Sequence, residues 1–175
     1  MLKIASIVVA LAVAGVLIAA AYRPDTFRVE RSVRIAAAPE RIHPLINDLR
    51  QFNVWNPFNK KDPQIQGTYR GPATGPGSAY DFKGNKEVGA GTVSIVETAP
   101  QKVTMALDMA EPLEAHNTVV FSLVPQGTQT EVTWSMQGRT PYIGKLLHMV
   151  FDMDKMVGGA FESGLADLKA IAEKH

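Results

Sequence analysis

Residues 141–174 read PYIGKLLHMVFDMDKMVGGAFESGLADLKAIAEK. Within them Ile143, Leu146, Leu147, Val150, Met153, Val157, Phe161, Leu165, Leu168 and Ile171 recur at steps of mostly three and four, the period of a helix with one apolar stripe. Thr140 can cap the free N–H groups of such a helix, and Pro141 fits its first position. Lys145, Asp152, Asp154, Lys155, Glu162, Asp167, Lys169 and Glu173 occupy the other face. A helix of about 32 residues would run roughly 48 Å, longer than most globular helices. It therefore needs a broad apolar surface to lie on. The stripe passes Gly158-Gly159 without losing phase, so one continuous helix with at most a mild kink is expected there.

The surface is supplied by the hundred residues before it, which alternate as strands do. Phe27, Val29, Val33 and Ile35 point one way, and Arg28, Glu30, Ser32 and Arg34 the other. Residues 65–69, 78–83, 91–98, 102–109, 115–124 and 128–138 give six more strands, separated by Gly/Pro turns. Short turns between successive strands imply antiparallel neighbours, with one face on the helix. Two short helices, about 40–47 and 49–52, follow the first strand, with Ile42, Leu45, Ile46 and Leu49 as their buried face. Asn56-Pro57 disfavours further helix, and 59–63 is expected to be polar and exposed.

The 175 residues suffice for one domain plus an appendage, and the 46% apolar content supports a sizeable core. Lys3 is the sole charged residue before Arg23, and the remainder balances at zero net charge. No basic face for nucleic acid is indicated. The absence of cysteine excludes disulfides, thiolate metal sites and a Cys nucleophile. Ile4–Tyr22 is a nineteen-residue run with only Ser6 as a conventional polar group. As a helix it would span roughly 28 Å, close to the hydrocarbon thickness of a bilayer. Three readings stand: a retained anchor, favoured by length and by Arg23; a signal peptide cut near Ala19-Ala20-Ala21; and a buried core helix. The chain thus divides into a membrane or signal segment at 1–22, a linker at 23–26 and a domain at 27–175. The first two readings place that domain outside the cytoplasm, periplasmic in a bacterial envelope.

The order of elements and several local stretches resemble the polyketide cyclase/dehydrase branch of the START-like (SRPBCC) superfamily. The stretches are 27–35 followed by Ala38-Pro39-Glu40-Arg41-Ile42, Asn47-Asp48-Leu49 leading to Trp55-Asn56-Pro57, Gly75 to Tyr80, Gly127 to Trp134, and Phe161 to Lys169. The resemblance implies an α+β helix-grip fold, an antiparallel sheet of about seven strands wrapped around the C-terminal helix with an apolar cavity between them. It also implies binding of lipid-like, sterol or polyketide molecules, with cyclisation or dehydration in some members. Fold analogy does not choose among these.

The residues carry little overt catalytic chemistry. His43, His116, His148 and His175 lack metal-ligand spacing, and neither G-x-S-x-G nor H-E-x-x-H occurs. No metal or cofactor is expected. The glycines of 84–91 read as a hairpin loop, since the phosphate-cradling context of strand, loop and helix is missing. The candidate cavity lining is Trp55, Phe58, Tyr80, Phe82, Met105, Leu107, Phe121, Trp134, Met136, Met153 and Phe161, which as single residues are equally ordinary core. Arg31 falls in the apolar phase of its strand. It is either an inward Arg paired with a carboxylate or a ligand-binding guanidinium. The leading expectation is a binding domain for an apolar or amphipathic small molecule, tethered by 4–22 or exported. A cyclase/dehydrase would need convergent polar groups in the cavity, for instance Arg31 with Tyr80, Asp81 or His116. A co-chaperone or envelope scaffold would expose an apolar patch elsewhere.

Overall fold

The computed structural model describes the backbone of residues 2–150 and 153–174, and the side chains of 6, 11, 14–146 and 154–174. Seven strands form one antiparallel sheet: β1 (Thr26–Ile35), β2 (Gln66–Arg70), β3 (Ala79–Lys83), β4 (Ala90–Ala99), β5 (Lys102–Glu111), β6 (Ala115–Gln126) and β7 (Gln129–Arg139). Their spatial order is β1-β7-β6-β5-β4-β3-β2. The six strands β2 to β7 form a meander, and β1 returns to pair with β7, matching Phe27 to Gly138 and Ile35 to Thr130. The helices are α1 (Leu2–Ala21), α2 (Pro39–Asn47), α3 (Leu49–Trp55), α4 (Pro57–Lys61), α5 (Tyr142–Val150) and α6 (Met153–Ala172).

The α+β helix-grip architecture expected from the alternation and the stripe is present. Ile35, Val103, Phe121, Leu123 and Val132 of the sheet, Ile42 and Ile46 of α2, and Leu165 and Leu168 of α6 are buried together in one core. Asp48 accepts the Arg50 N–H and so caps α3, which explains why two helices follow one another with no loop between them.

Two expectations are corrected. The polar segment after Pro57 is helical: Asn56 accepts the Phe58 N–H as a cap, and Pro57 takes the first position of α4. The C-terminal stripe does not lie along the sheet throughout: it is helical at Tyr142–Val150 and at Met153–Ala172, and its continuity at 151–152 falls outside the described residues. α6 lies against β1 and α2, whereas α5 packs on α1. The contacts that draw α5 away are specific. Tyr142 donates to the Leu17 carbonyl at 2.7 Å, and Lys145, buried, pairs with Asp25 in the linker. The Lys145 ammonium holds the Asp25 carboxyl below its usual range, with a smaller contribution from Arg139.

Leu2–Ala21 is helical over 20 residues as expected. Among the described residues no helix is long and apolar enough to cross a membrane. The side chains of 2–5, 7–10 and 12–13, which carry much of the apolar content of this run, lie outside the described residues.

Candidate functional site

The inner face of the sheet can be followed row by row through the strand register. One row runs Arg31, Trp134, Phe121 and, on β5, Val103; the next runs Val29, Met136, Val119, Met105 and Ile95. In both rows every residue except Arg31 is buried. The third row runs Phe27, Gly138, Asn117, Leu107, Val93, Tyr80 and Tyr69, and here all but Tyr80 are only half-buried. The row beyond it, Ala115, Met109, Gly91 and Phe82, is half-buried throughout. Burial therefore falls off toward one end of the sheet, the end where β1 begins and β7 finishes. α6 accounts for the gradient. Asp154, in its first turn, bonds Arg31, and it then runs past Arg34 and Ala36, so that Lys169 donates to the Arg34 carbonyl and Glu173 accepts the Ala36 N–H. Its turns from Asp154 onward cover the sheet from Arg31 outward to Ile35 and do not reach the Phe27 row. What remains is an apolar mouth, continuous with the core.

Two positions in the mouth carry no side chain at all. A Cβ on Gly138 would lie 2.0 Å from Asn117 Oδ1, and one on Gly91 would lie 2.4 Å from the Asp108 carbonyl oxygen. Gly138 gives the Asn117 amide its place between strands, and Asn117 Oδ1 is buried there without a hydrogen-bond partner. Asn117 is the amide of a row whose other side-chain polar atoms are the Tyr80 and Tyr69 hydroxyls.

The other end of the inner face is filled. Trp134 stacks on Phe161 with centroids 4.0 Å apart, and lies 5.0 Å from Phe121 and 5.7 Å from Trp55. Phe52 joins all but Phe161 edge-on. Trp55 donates its indole N–H to the Leu45 carbonyl, whereas Trp134 Nε1 has no partner among the described residues. Four of the residues expected to line a cavity under the C-terminal helix (Trp55, Phe121, Trp134 and Phe161) therefore form a packed aromatic plug. Met105 and Met136 lie just behind the mouth, buried. Phe82 and Leu107 stand in the mouth itself, half-buried, while Tyr80 is covered by Tyr69 at 4.6 Å and by Phe82 at 6.3 Å. Burial, and more weakly the neighbouring Tyr69, pushes the Tyr80 hydroxyl above its ordinary value. Phe58 is half-buried at the start of α4, with Lys61 Nζ 5.3 Å from its ring centroid. The Met153 side chain lies outside the described residues. A cleft of about 180 Å³ opens at the β2 edge, where Arg50 lies over the Tyr69 ring and Leu49, Arg70 and Ala79 complete the wall. Sequence periodicity carried no sign of it.

Arg31 is held by carboxylates. Its Nε donates to Glu162 at 2.6 Å, and Nη1 and Nη2 donate to Asp154 at 3.1 and 2.8 Å. Asp154, Gly158 and Glu162 are spaced by four on α6, so they share one stripe. The guanidinium lies across that stripe at Gly158, where a Cβ would come within 2.2 Å of Nη2. The pairing lowers the Asp154 pKa and raises that of Arg31.

The polar groups offered as an example for a cyclase or dehydrase do not converge: Arg31, Tyr80, Asp81 and His116 lie apart. Asp81 is on the opposite face from Tyr80, bonded by Arg70 and Thr92, and these bonds hold its carboxyl down to about 2. His116 is exposed on that same outer face, its Nδ1 2.7 Å from Asp108 and its Nε2 3.7 Å from Glu114. Among the described residues no acidic or histidine cluster is placed to hold a metal. Asp108, and secondarily Glu114, raise the His116 pKa above the ordinary 6.5. The pair accordingly contributes stability below the unfolded value, and the contribution is lost as pH rises through the raised one. An NMR titration of the His116 ring should give a midpoint above 6.5, and Asp108→Asn should bring it back down; equal midpoints in the two proteins would show that the pair does not persist in solution.

Residues 26–173 match the family described as polyketide cyclase/dehydrase and lipid transport. No curated protein matches the chain. A protein of Chromobacterium violaceum has the same fold at TM-score 0.61 and 16% identity, over 87% of this chain and 100% of that one. The di-domain ARO/CYC BexL of the BE-7585A biosynthetic pathway gives a TM-score of 0.64 at 14% identity, over 89% of this chain and 52% of BexL. The protein Ms6760 of Mycobacterium smegmatis gives 0.54 at 20% identity, over 82% of this chain and 89% of that one. A meander sheet with a returning first strand, a C-terminal helix gripped against it and a match across the whole domain together decide the matter: the chain belongs to the polyketide cyclase/dehydrase and lipid transport family, within the START-like (SRPBCC) superfamily.

Proposed function

We propose that this protein binds an apolar or amphipathic small molecule, lipid-like or polyketide-like, at the half-buried mouth of the sheet's inner face, and that α1 holds it at a membrane. One observation carries the binding reading: Phe27, Leu107, Val93, Met109 and Phe82 form an apolar surface that is continuous with the core yet left half-open. Apolar walls with few polar groups are what small-molecule sites are made of. The Asn117 amide supplies the polar feature that would orient the head of an amphipathic ligand. The family description, which names lipid transport beside cyclase and dehydrase, supports the same chemistry. The membrane reading rests on Ile4–Tyr22 with its single Ser6 and on a helix of 20 residues, about 30 Å long. With it goes a domain on the extracytoplasmic side.

The binding test uses the dye 8-anilinonaphthalene-1-sulfonate, alongside mass spectrometry of a solvent extract of the purified protein. Leu107→Glu places a charge in the mouth without touching the plug, so dye affinity should fall at least tenfold, about 1.4 kcal/mol, while the melt stays cooperative. Phe82→Ser serves as a second variant should Leu107→Glu fail to fold. Unchanged dye affinity in a folded variant, with no lipid in the extract, would overturn the proposal. The membrane reading is tested separately. The full chain should stay with membranes through alkaline carbonate, and protease added outside the inner membrane should reach the domain.

A further inference from the structure

The open end of the inner face and the attachment of both outlying helices coincide. Thr26, where β1 begins, pairs with Arg139, where β7 finishes, and the adjoining pair, Phe27 with Gly138, opens the half-buried row. α1 leads into Thr26 through four residues, and α5 follows Arg139 after two. The Thr140 N–H bonds the Asp25 carbonyl at 2.8 Å, which ties the two connections together. The surface of α5 then has a particular chemistry. Lys145 is the one Lys, Arg, Asp or Glu between Tyr142 and Val150, and it is turned inward onto Asp25. Ile143 is 60% exposed and Tyr142 44% exposed, beside the apolar α1 that Tyr142 bonds. A helix whose described exposed side chains are a tyrosine and an isoleucine suits the boundary between headgroups and acyl chains.

We propose that α5 lies in the surface of the bilayer that α1 enters, so that the mouth of the sheet opens onto lipid and not onto bulk water. This rests on the anchoring by α1 proposed above and adds an orientation to it. The occupant of the α5 face is the lipid surface itself. A helix bound there and a linker of four residues leave the domain little freedom to turn away. The Phe27 row would be within reach of a molecule still partly embedded, which spares an apolar ligand a passage through water.

The chain has no cysteine, so single-cysteine labelling is clean. Four positions suffice: Leu11 on α1, Ile143 on α5, Leu113 in the β5–β6 connection at the mouth end, and Val124 at the far end of β6. Leu113 and Val124 are matched at 47% exposure. Each variant is labelled with a nitrobenzoxadiazole dye and reconstituted as the full chain in phosphatidylcholine vesicles containing a minority of phosphatidylglycerol. Quenching by lipid-borne nitroxides is then read, with a thermal melt to confirm folding. Dyes at Leu11, Ile143 and Leu113 should be quenched at least threefold more than at Val124. If Leu11 is quenched while Ile143 and Leu113 match Val124, the orientation is overturned and the anchor stands. If Leu11 itself is unquenched, the anchor fails and the orientation with it.

Discussion

Trp134→Ala is expected to cost about 3–5 kcal/mol, as large-to-small changes of buried aromatics do. Trp134 is 3% exposed and touches every other member of the plug, so its removal opens a cavity between β7, α3 and α6 that no single neighbour can fill. A thermal melt or a urea titration reads the loss directly. Trp134→Phe should cost well under half as much. The ring volume lost is smaller, and Nε1 has no partner among the described residues to forfeit; replacing an unsatisfied donor by carbon removes a desolvation penalty instead of a hydrogen bond. An alanine variant that melts with the wild type would mean that the plug does not hold the domain together.

The second expected result separates three glycines of α6 that sequence alone treats alike. Gly159 has nothing within 4 Å of an added Cβ and is exposed, so Gly159→Ala should stabilise by about 0.5–1 kcal/mol through helix propensity. Gly164 is wedged: a Cβ there would lie 2.8 Å from Pro57 and 2.9 Å from Trp134, so Gly164→Leu should destabilise by roughly 1–3 kcal/mol through overpacking. Gly158→Ala would push the Arg31 guanidinium off its seat between Asp154 and Glu162, and should lack the gain seen at Gly159. In an Arg31→Met background the same substitution should become stabilising. A cycle in which Gly158→Ala behaves identically with and without Arg31 would show that the clamp does not exist in solution.

The strands and the gripping helix were legible because alternation and the three-four stripe are local records of which side faces the core. The departure of α5 from the sheet onto α1 was not. Tyr142 and Lys145 fit the helical pattern well, and what draws them off the sheet are Leu17 and Asp25, more than a hundred residues earlier. α4 was within reach, since Asn56 and Pro57 are a capping residue followed by a first-turn proline, a signal that reads as a break only if the helix beyond is ignored. The site was half legible. Phe82 and Phe121 have the same phase and type; one stands in the mouth and the other in the plug because α6 covers the sheet from Arg31 outward, and where a helix lies over a sheet is a tertiary fact. Arg31 announced itself by breaking phase, though its partners, Asp154 and Glu162, two turns apart on α6, belong to a face that periodicity assigns to water.

Trp55 and Trp134 are the two tryptophans of the chain, and they lie 5.7 Å apart at 85° in the plug, both shielded from solvent. The protein therefore carries its own depth gauge. Their emission and the long-wavelength tryptophan bands of the near-ultraviolet circular dichroism report the plug, since the aromatic side chains of the mouth are Tyr and Phe, which absorb at shorter wavelength. A ligand that rests against Leu107 and Phe82 will leave both signals where they are. One that parts Trp134 from Phe161 to reach deeper will shift them, so a single unlabelled titration distinguishes a molecule perched at the rim from one swallowed into the grip.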